Sequence, residues 1–259
     1  MNLRWVILGC ARISRRGLIP GIQASKTGRL VALASRNPAT ARAWCDEFKI
    51  LKSHETYQGL LEDPEIDAVY IPLPNELHKP WVVAAAEAGK HVLCEKPLAL
   101  NAVEAREMVE QCRSRGVLLM EAFMWRHQPR TLELRARVAA GLLGDLRLIR
   151  SSFSFPIEPG DWRLDPARGG GALWDVGCYG ISTARFFAGA EPESVRARAR
   201  FGPTGVDLTL TASLGFPNQY EAMIDAFATS LAAGRLVEPA EDGLAQMKAL
   251  DAIMEAARS

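Results

Sequence analysis

One stretch near the start of the chain decides the fold class, and it reads Leu3-Arg4-Trp5-Val6-Ile7-Leu8-Gly9-Cys10-Ala11-Arg12-Ile13-Ser14. Its apolar first half predicts a strand that is buried on both faces, as in a parallel sheet. Gly9 then ends the strand in a turn of small residues, and a helical pattern begins at Ser14. A strand, a tight turn and a helix in this order are the first elements of a βαβ unit.

The turn after this strand also has the character of a dinucleotide-binding loop. Small residues let backbone N–H groups approach a pyrophosphate at the positive end of the helix dipole. Ala11 and Ser14 take the places of the second and third glycines of the G-x-G-x-x-G template, so an ordinary strand-to-helix turn remains an alternative. The predicted cofactor-binding residues of the loop are Gly9, Cys10, Ala11, Arg12 and Ile13.

Through the rest of the first half, β-rich runs alternate with helical patterns, which predicts a doubly wound parallel sheet covered by helices. Asn37 and Pro38 are suited to begin the second helix as its N-cap and first residue. The predicted strands are Leu3–Gly9, Arg29–Ser35, Ala68–Pro72, His91–Cys94 and Val117–Ala122. The predicted helices are Ser14–Ala24, Pro38–Phe48, Glu76–Ala88 and Asn101–Arg115.

The end of the second predicted strand indicates which nicotinamide nucleotide the chain prefers. An enzyme that uses NAD usually has an acidic residue about 20 residues after the glycine turn, where it binds the ribose 2′-hydroxyl. This chain has Ser35-Arg36 at that place. A hydroxyl and a guanidinium suit a 2′-phosphate, so we predict NADP, with NAD the less favoured cofactor. The alternative is a solvated arginine before a helix cap.

The tripeptide Glu95-Lys96-Pro97 directly follows the predicted strand His91–Cys94 and indicates a catalytic lysine. In open parallel sheets, ligands bind outside the carboxyl ends of the strands, where the Lys96 side chain would meet cofactor and substrate. Pro97 restricts the backbone and permits a cis bond, which would hold the ammonium in one place. An ordinary surface turn is the alternative.

A second strand end contributes further candidates at the same edge of the sheet. Leu73, Asn75 and His78 follow the strand Ala68–Pro72. The Asn75 and His78 side chains are able to bond the nicotinamide ribose or substrate hydroxyls, and prolines would shape the wall of the crevice. The alternative is that Asn75 caps a helix and that His78 lies on an ordinary helix face.

After about Glu121 the pattern changes, and we predict a domain boundary, with one domain over residues 1–120 and a second over 121–259. The loop Pro156–Gly171 is long enough to be functional. The strands Val195–Phe201 and Val206–Ala212 alternate, which predicts one packed and one wet face, with an arginine stripe in solvent. The other predicted elements are a helix Arg130–Ala140, a strand Leu146–Phe155, and helices Ala172–Ala188, Tyr220–Ala233 and Pro239–Ala257.

The segment from Gly169 to Tyr179 holds three consecutive glycines and two groups able to act on a substrate. The glycines allow the backbone to pass close to another group. Asp175 and Tyr179 stand four residues apart, on one face of the predicted helix. We expect the Lys96 ammonium to lower the pKa of the Tyr179 phenol, which would then exchange a proton with substrate. A flexible loop followed by an amphipathic helix is the alternative.

The composition is that of an ordinary globular protein, with 259 residues, of which 48% are hydrophobic and 24% charged. A net charge of +1 gives no electrostatic argument for nucleic acid or an acidic membrane surface. The cysteines are odd in number and scattered, and no His, Asp or Glu cluster has metal-ligand spacing. We therefore expect reduced, mostly buried thiols and no metal. Without a signal peptide or a membrane-length apolar stretch, we predict a cytoplasmic location.

These motifs together resemble the Gfo/Idh/MocA family of glucose-fructose oxidoreductase and inositol dehydrogenase, over nearly the whole chain. The resemblance implies a Rossmann domain followed by an α/β domain with an open, mainly antiparallel sheet, with the active site between them, and a homodimer or higher homo-oligomer. The segments that carry it are the turn at Gly9, Pro74-Asn75-Glu76-Leu77-His78, Ala88-Gly89-Lys90-His91-Val92-Leu93-Cys94-Glu95-Lys96-Pro97, Met120-Glu121-Ala122-Phe123-Met124-Trp125-Arg126, and the glycine-rich segment ending in Tyr179.

The resemblance also implies roles for individual residues. Lys96 would be a catalytic acid or base before a cis proline, and Glu95 would lie beside the cofactor. Tyr179, where many relatives have histidine, would donate or accept the proton, and Asp175 would orient substrate. Tyrosine resembles the branch of glucose-fructose oxidoreductase, xylose dehydrogenases and dihydrodiol dehydrogenase. Trp162 and Arg163 would border nicotinamide and substrate, and the implied substrate-binding residues are Lys96, Trp125, Arg126, Trp162, Arg163, Asp175 and Tyr179.

In one respect the chain departs from the family pattern. The family continues through several more strands after the segment that corresponds to Val206–Phe216, whereas here helical sequence follows Pro217 at once. We expect that the sequence omits a stretch, because a genuine deletion would leave an exposed sheet edge. Together with the motifs, the resemblance implies an NADP-dependent oxidoreductase acting on a sugar or cyclic diol. A non-catalytic NADP-binding sensor is the alternative from another class, and a glycosidase using transient oxidation is a weaker one.

Overall fold

The computed structural model describes residues 2–217 and 247–248. The chain divides into two compact units. The first comprises Met1–Phe187 and Ala197–Thr211, and it contains the large sheet and every candidate site residue. The second comprises Ala188–Arg196 and the chain from Ala212 onward. The helices that the sequence predicts at Tyr220–Ala233 and Pro239–Ala257 lie outside the described residues, apart from Met247 and Lys248.

The first unit is built on a six-stranded, entirely parallel sheet with the strand order β3-β2-β1-β4-β5-β6. This order confirms the predicted doubly wound α/β fold. The strands are β1 (Leu3–Leu8), β2 (Gly28–Ala34), β3 (Lys52–His54), β4 (Ala68–Ile71), β5 (His91–Cys94) and β6 (Leu119–Glu121). The connecting helices are α1 (Ile19–Ala24), α2 (Pro38–Phe48), α3 (Tyr57–Leu61), α4 (His78–Glu87) and α5 (Ala102–Ser114).

The strands are buried on both faces, as their apolar sequences predict. Val6 and Leu8 of β1 point into one hydrophobic cluster, which also holds Met108 of α5. Ile7, between them, points into a second cluster with Tyr70 on the other side of the sheet. Each fully buried side chain of this size contributes roughly 1.5–3 kcal/mol relative to exposure. Helices must therefore cover both faces, which leaves the strand ends as the accessible part of the sheet.

The sequence reading located most of these elements but missed β3 and α3. β3 is a three-residue edge strand, Lys52-Ser53-His54, and among the described strands it pairs only with β2. An edge strand does not need an apolar sequence, so β3 lacks the pattern by which the others were found. The N-cap prediction for α2 is confirmed, because the Asn37 side chain accepts hydrogen bonds from the N–H groups of Ala39 and Thr40.

After the sheet, the chain forms α6 (Pro129–Ala139), α7 (Cys178–Ala188), and a hairpin of β7 (Ser194–Phe201) and β8 (Asp207–Gly215). The predicted strand Leu146–Phe155 is wrong, because the segment forms no strand and its Phe153 and Phe155 side chains are exposed. An alternating sequence becomes a strand only when a neighbour supplies hydrogen bonds, and no described strand pairs with this one.

The prediction that β7 and β8 have one packed face is also wrong for β7, since all eight of its residues are exposed. Alternation indicates which residues share a face, but it does not supply the layer that would cover that face.

None of the helices in the described part of the chain is long and apolar enough to cross a membrane. The five cysteines are free, and Cys45, Cys94 and Cys112 are buried, as expected.

Candidate active site

Lys96 lies where the sequence predicts it, two residues past the end of β5. The Glu95 N–H donates to the carbonyl oxygen of Ile71 at 3.0 Å, so the segment stays in register with β4 just beyond the sheet. The Lys96–Pro97 peptide bond is cis, as expected. Only 14% of the Lys96 side chain is exposed, so its ammonium lies in a partly desolvated environment.

The Lys96 ammonium is bound to Asp175, a residue 79 positions further along the chain. Nζ donates to the Asp175 carbonyl oxygen at 2.6 Å and approaches Oδ1 at 3.3 Å. The other carboxylate oxygen, Oδ2, accepts a hydrogen bond of 2.7 Å from Nε of Arg163. Both oxygens of Asp175 are thus engaged by cations of the chain itself. In this structure Asp175 holds Lys96 and Arg163, and the substrate-orienting role that the resemblance implied stays a prediction.

Tyr179 stands beside Lys96, with the ammonium 5.1 Å from the centre of the phenol ring. The ring packs edge-on against Phe123, and the hydroxyl points to the sulfur of Met124 at 3.9 Å. Burial raises the pKa of Tyr179 to about 12, and the negative charge of Glu95 acts in the same direction. The expectation that Lys96 lowers this pKa is therefore wrong, because burial and neighbouring acidic groups dominate.

Glu95 is held in place by a phenol from inside the sheet. The Tyr70 hydroxyl donates to Oε1 of Glu95, and Oε2 accepts a 3.3 Å bond from the Lys96 N–H. Burial, reinforced by the Glu95 charge, raises the pKa of Tyr70, which keeps the phenol protonated as a donor. The sequence reading missed Tyr70, although a phenol within the apolar strand Ala68–Ile71 needs a polar partner when it is buried.

The three consecutive glycines are required because the backbone passes close to other parts of the chain. A Cβ atom on Gly169 would lie 2.3 Å from Leu100, and one on Gly170 would lie 2.3 Å from the carbonyl oxygen of Arg163. The Gly169 carbonyl accepts a buried hydrogen bond of 2.8 Å from the Asn75 side chain. Asn75 thus joins the glycine segment to the end of β4 and does not cap a helix there.

The loop before the glycines brings an aromatic ring and two guanidinium groups together. The guanidinium carbon of Arg163 lies 4.7 Å from the Trp162 ring centre, and that of Arg168 lies 5.7 Å away. Arg168 also donates to Oε1 of Glu76 at 3.0 Å, whereas the buried Oε2 of Glu76 has no partner in the described residues. Arg168 and Glu76 tie the loop to the segment after β4, and sequence reasoning did not single them out.

His78 is completely buried, and both of its ring nitrogens face carbonyl oxygens of the chain. Nδ1 lies 2.9 Å from the Pro97 oxygen and Nε2 lies 2.8 Å from the Leu73 oxygen. Burial lowers the pKa of the imidazole, although the two carbonyls act in the opposite direction. No ring nitrogen remains for the ribose contact that the sequence predicted. His78 instead braces the Lys96–Pro97 turn against the segment after β4.

Trp125 and Arg126 lie in a short 3-10 helix, Met124–His127. Both Nε and a terminal nitrogen of Arg126 donate to the hydroxyl of Ser182 in α7, at 2.9 and 2.7 Å. The indole N–H of Trp125 is buried without a partner in the described residues. In this structure, Arg126 anchors α7, and its predicted contact with substrate stays a prediction.

The glycine turn has the shape that a pyrophosphate site needs. Gly9 has φ +104°, and a Cβ atom there would lie 3.0 Å from Leu73. In the described part of the chain, the backbone N–H groups of Cys10, Ala11, Arg12 and Ile13 form no hydrogen bond with protein. These free donors at the start of a helix fit the phosphates of a dinucleotide. The residue that follows in the chain, Ser14, begins a π-helical turn, Ser14–Leu18.

The end of β2 lies beside this turn. Ser35 is buried and its hydroxyl accepts a hydrogen bond of 3.3 Å from the N–H of Asn37, while the Arg36 side chain is exposed. A buried hydroxyl and an exposed guanidinium at this position fit the 2′-phosphate of NADP.

The chain matches two family models and several characterised proteins. A model described as an oxidoreductase family with an NAD-binding Rossmann fold matches residues 3–123, and the GFO/IDH/MocA C-terminal domain model matches residues 131–237. A D-xylose 1-dehydrogenase (NADP(+)) from Haloferax volcanii is 42% identical over 221 residues, which are 85% of this chain and 67% of that protein. A trans-1,2-dihydrobenzene-1,2-diol dehydrogenase from Macaca fascicularis is 34% identical over 250 residues, which are 95% and 75% of the two chains.

Among solved structures, a 3-ketoreductase from Actinomadura kijaniata, in complex with NADP and TDP-benzene, superimposes with a TM-score of 0.78. It is 38% identical, and the match covers 83% of this chain and 66% of that one. The chain therefore spans about two thirds of the length of the xylose dehydrogenase and of this reductase.

Proposed function

The chain belongs to the GFO/IDH/MocA oxidoreductase family, and we propose that it is an NADP-dependent oxidoreductase acting on a hydroxyl or carbonyl carbon of a sugar or cyclic diol. The observation that carries the proposal is the convergence of Lys96, Asp175 and Tyr179 at one edge of the sheet. Nζ of Lys96 lies 2.6 Å from the Asp175 carbonyl oxygen and 5.1 Å from the Tyr179 ring centre. An amine and a phenol placed together are suited to proton transfer at an alcohol or a carbonyl.

The residues that would hold the cofactor lie along the carboxyl edge of the sheet. The free N–H groups from Cys10 to Ile13 would bind the pyrophosphate. Ser35 and Arg36 would bind the 2′-phosphate. Leu73, Asn75, Glu95, Trp162 and Arg163 would border the nicotinamide end. When bound, NADP supplies the hydride acceptor for alcohol oxidation, and NADPH the hydride donor for the reverse reaction.

Tyr179, Lys96 and Asp175 would have different roles in the proton transfer. With its pKa raised to about 12, the Tyr179 phenol is protonated near neutral pH and is a ready donor to a substrate carbonyl oxygen. Lys96 places a positive charge beside the oxygen on which negative charge develops during reduction. Asp175, fixed by Arg163, keeps the Lys96 ammonium from turning away. In the oxidative direction, the phenol first releases its proton to water, and the phenolate oxygen then takes the proton of the alcohol.

Two kinds of observation support a polyol or sugar as substrate. The two matched dehydrogenases are named for xylose and for a cyclic diol, and the reductase is named a 3-ketoreductase. The site itself adds two cations that share Asp175, Lys96 and Arg163, and the Arg163 guanidinium lies against the aromatic ring of Trp162. Such a combination suits a ring that carries several hydroxyl groups.

Homodimer formation and a cytoplasmic location also remain proposals. Light scattering would test the first, and cell fractionation the second.

The experiment is a screen of the purified protein with aldoses and trans-diols, following the absorbance of the reduced nicotinamide with NADP and with NAD. We expect turnover with NADP of at least one aldose or cyclic diol. Binding of NADP without turnover of any polyol or corresponding carbonyl compound would favour the non-catalytic sensor. Product analysis with a glycoside separates the glycosidase alternative.

A further inference from the structure

Asp207, the first residue of β8, lies against the start of the helix that carries Asp175 and Tyr179. Its Oδ2 atom accepts a hydrogen bond of 2.7 Å from the N–H of Leu173, and the residue is only 9% exposed. Leu173 begins the π-helical segment Leu173–Gly177, which runs directly into α7, and the preceding residue, Ala172, contributes no side-chain cap. Asp207 therefore supplies, from 34 positions away in sequence, the cap that the local sequence lacks.

Gly171 gives an independent indication that the chain is arranged around this carboxylate. Its φ is +115°, and a Cβ atom there would lie 2.1 Å from Oδ1 of Asp207. Only glycine leaves the space that Asp207 occupies. The Gly171 carbonyl oxygen also accepts the first hydrogen bond of the helix, 3.1 Å from the N–H of Asp175. The Asp207 carboxylate thus lies beside both groups that begin the helix.

The tight turn between β7 and β8 places Asp207 at the start of the helix. Two bonds close the turn, from the Gly202 N–H to the Val206 oxygen at 2.9 Å and from the Gly205 N–H to the Gly202 oxygen at 3.0 Å. Val206 and Asp207 are the buried residues of the hairpin over Ser194–Gly215, whereas β7 is exposed throughout. The tight turn therefore anchors the hairpin to the start of the helix and not to the large sheet.

We propose that Asp207 is a positioning residue. By holding the first turn of the helix in place, it keeps the Asp175 carbonyl within hydrogen-bonding distance of the Lys96 ammonium. Asp175 is two residues beyond the capped Leu173 and accepts the Lys96 bond through its backbone. A shift of the first turn would therefore move the acceptor of Lys96 directly. The negative charge of Asp207 also lies at the positive end of the helix dipole, where it is favourable. The catalytic part of this inference rests on the proposed function.

The experiment compares Asp207→Ala and Asp207→Asn with a matched control, Asn101→Ala. Asn101 caps α5, a different helix, by accepting a hydrogen bond of 2.9 Å from the N–H of Glu104. The first readout is amide hydrogen exchange of peptides covering residues 171–179, with and without NADPH. The second is the pair kcat and KM on the substrate found for the wild type. If Asp207→Ala does not fold, Asp207→Ser replaces it, because its hydroxyl is one bond too short to reach Leu173.

In Asp207→Ala we expect exchange in residues 171–179 to accelerate roughly fivefold or more, as loss of a cap predicts. We expect kcat to fall roughly 10- to 100-fold with little change in the KM for NADPH. Asp207→Asn retains an acceptor oxygen and should restore most of both values, whereas Asn101→Ala should leave the segment and kcat unchanged. Unchanged exchange in Asp207→Ala, or an equal loss of kcat in Asn101→Ala, would overturn the inference.

The two readouts also separate this inference from the proposed function. If the wild type turned over no polyol, the proposed function would fail, and hydrogen exchange alone would still decide whether Asp207 holds the helix. If the wild type were active and Asp207→Ala exchanged faster with an unchanged kcat, Asp207 would be structural only, and the positioning role would be refuted.

Discussion

The ammonium of Lys96 donates to the backbone carbonyl of Asp175 at 2.6 Å, and the carboxylate of the same residue is held by Arg163 at 2.7 Å. A backbone acceptor cannot rotate away, so it fixes the ammonium more firmly than a side chain would. The arrangement also connects the end of β5 to the helix after the glycines. The link brings Lys96 close to Tyr179, and the first two predictions concern these two side chains.

Substituting Lys96→Met should reduce turnover by roughly 10²- to 10⁴-fold, because the positive charge beside the reacting oxygen is lost. The methionine side chain fits the same space, so NADP binding and the unfolding midpoint should change little. Steady-state kinetics and nucleotide fluorescence titration check the two parts. Lys79→Met is the control, since Lys79 pairs with Glu107 on the surface. Turnover of Lys96→Met comparable to the control would contradict the assignment.

Tyr179→Phe should lower the rate of carbonyl reduction by roughly 10²- to 10⁴-fold while keeping the ring packed against Phe123. The raised pKa, about 12, has a second consequence. Because the phenol stays protonated up to strongly alkaline pH, Tyr179 ionisation should not reduce the reductive rate between pH 7 and pH 10. Ultraviolet difference titration of the wild type against Tyr179→Phe measures the phenol directly. A midpoint below the ordinary pKa of tyrosine, about 10, would contradict this prediction.

Arg36→Ala should weaken NADP binding by roughly 10- to 100-fold and leave NAD binding nearly unchanged, because only NADP carries the phosphate that the guanidinium would contact. Isothermal titration with both nucleotides measures the change in preference. Arg29→Ala is a suitable control, because Arg29 is an exposed arginine near the opposite end of β2. Equal losses for NADP and NAD would indicate that Arg36 acts on something other than the 2′-phosphate.

Much of the fold could be predicted from sequence, because the strands of a parallel sheet that is buried on both faces are continuous apolar runs. β5 was predicted to the residue, and Lys96 follows from its end. Features that depend on distant partners could not be predicted. The sequence around Asp207 does not indicate that its partner is Leu173, and the sequence around Tyr70 does not indicate that its partner is Glu95. His78 appeared available for cofactor, and only the folded chain brings the Pro97 and Leu73 carbonyls to its two nitrogens.

His78→Phe should destabilise the protein by roughly 1–3 kcal/mol, because the neutral imidazole donates its one N–H to a buried carbonyl oxygen, of Pro97 or of Leu73, and that oxygen would lose its donor. It should also lower kcat, since the Lys96–Pro97 turn loses its brace. Urea unfolding and steady-state kinetics measure both effects. His78→Gln, which retains a polar group of similar reach, should recover part of each. A loss confined to the KM for NADP, with unchanged stability, would restore the original assignment of His78 as a cofactor-binding residue.

Asp67 is expected to make the stability of the nucleotide-binding sheet depend on acid pH. Arg4 donates to the Asp67 carboxylate from its backbone N–H at 2.8 Å, from Nε at 3.0 Å and from a terminal nitrogen at 2.6 Å. These bonds lower the pKa of Asp67 to about 2, from 3.8. A group whose pKa is lower in the folded state stabilises folding fully above its unfolded pKa, and this contribution is lost as the pH falls through the folded pKa.

The stability advantage of the wild type over Asp67→Asn should therefore be constant from pH 7 to about pH 5 and shrink between about pH 4 and pH 2. Urea unfolding midpoints across this range measure it. Glu87→Gln is the control, because Glu87 forms an exposed pair with Arg115 at 3.7 Å and should give little difference at any pH. An advantage over Asp67→Asn that persisted undiminished at pH 2 would show that the Arg4 contact does not depend on the charge of Asp67.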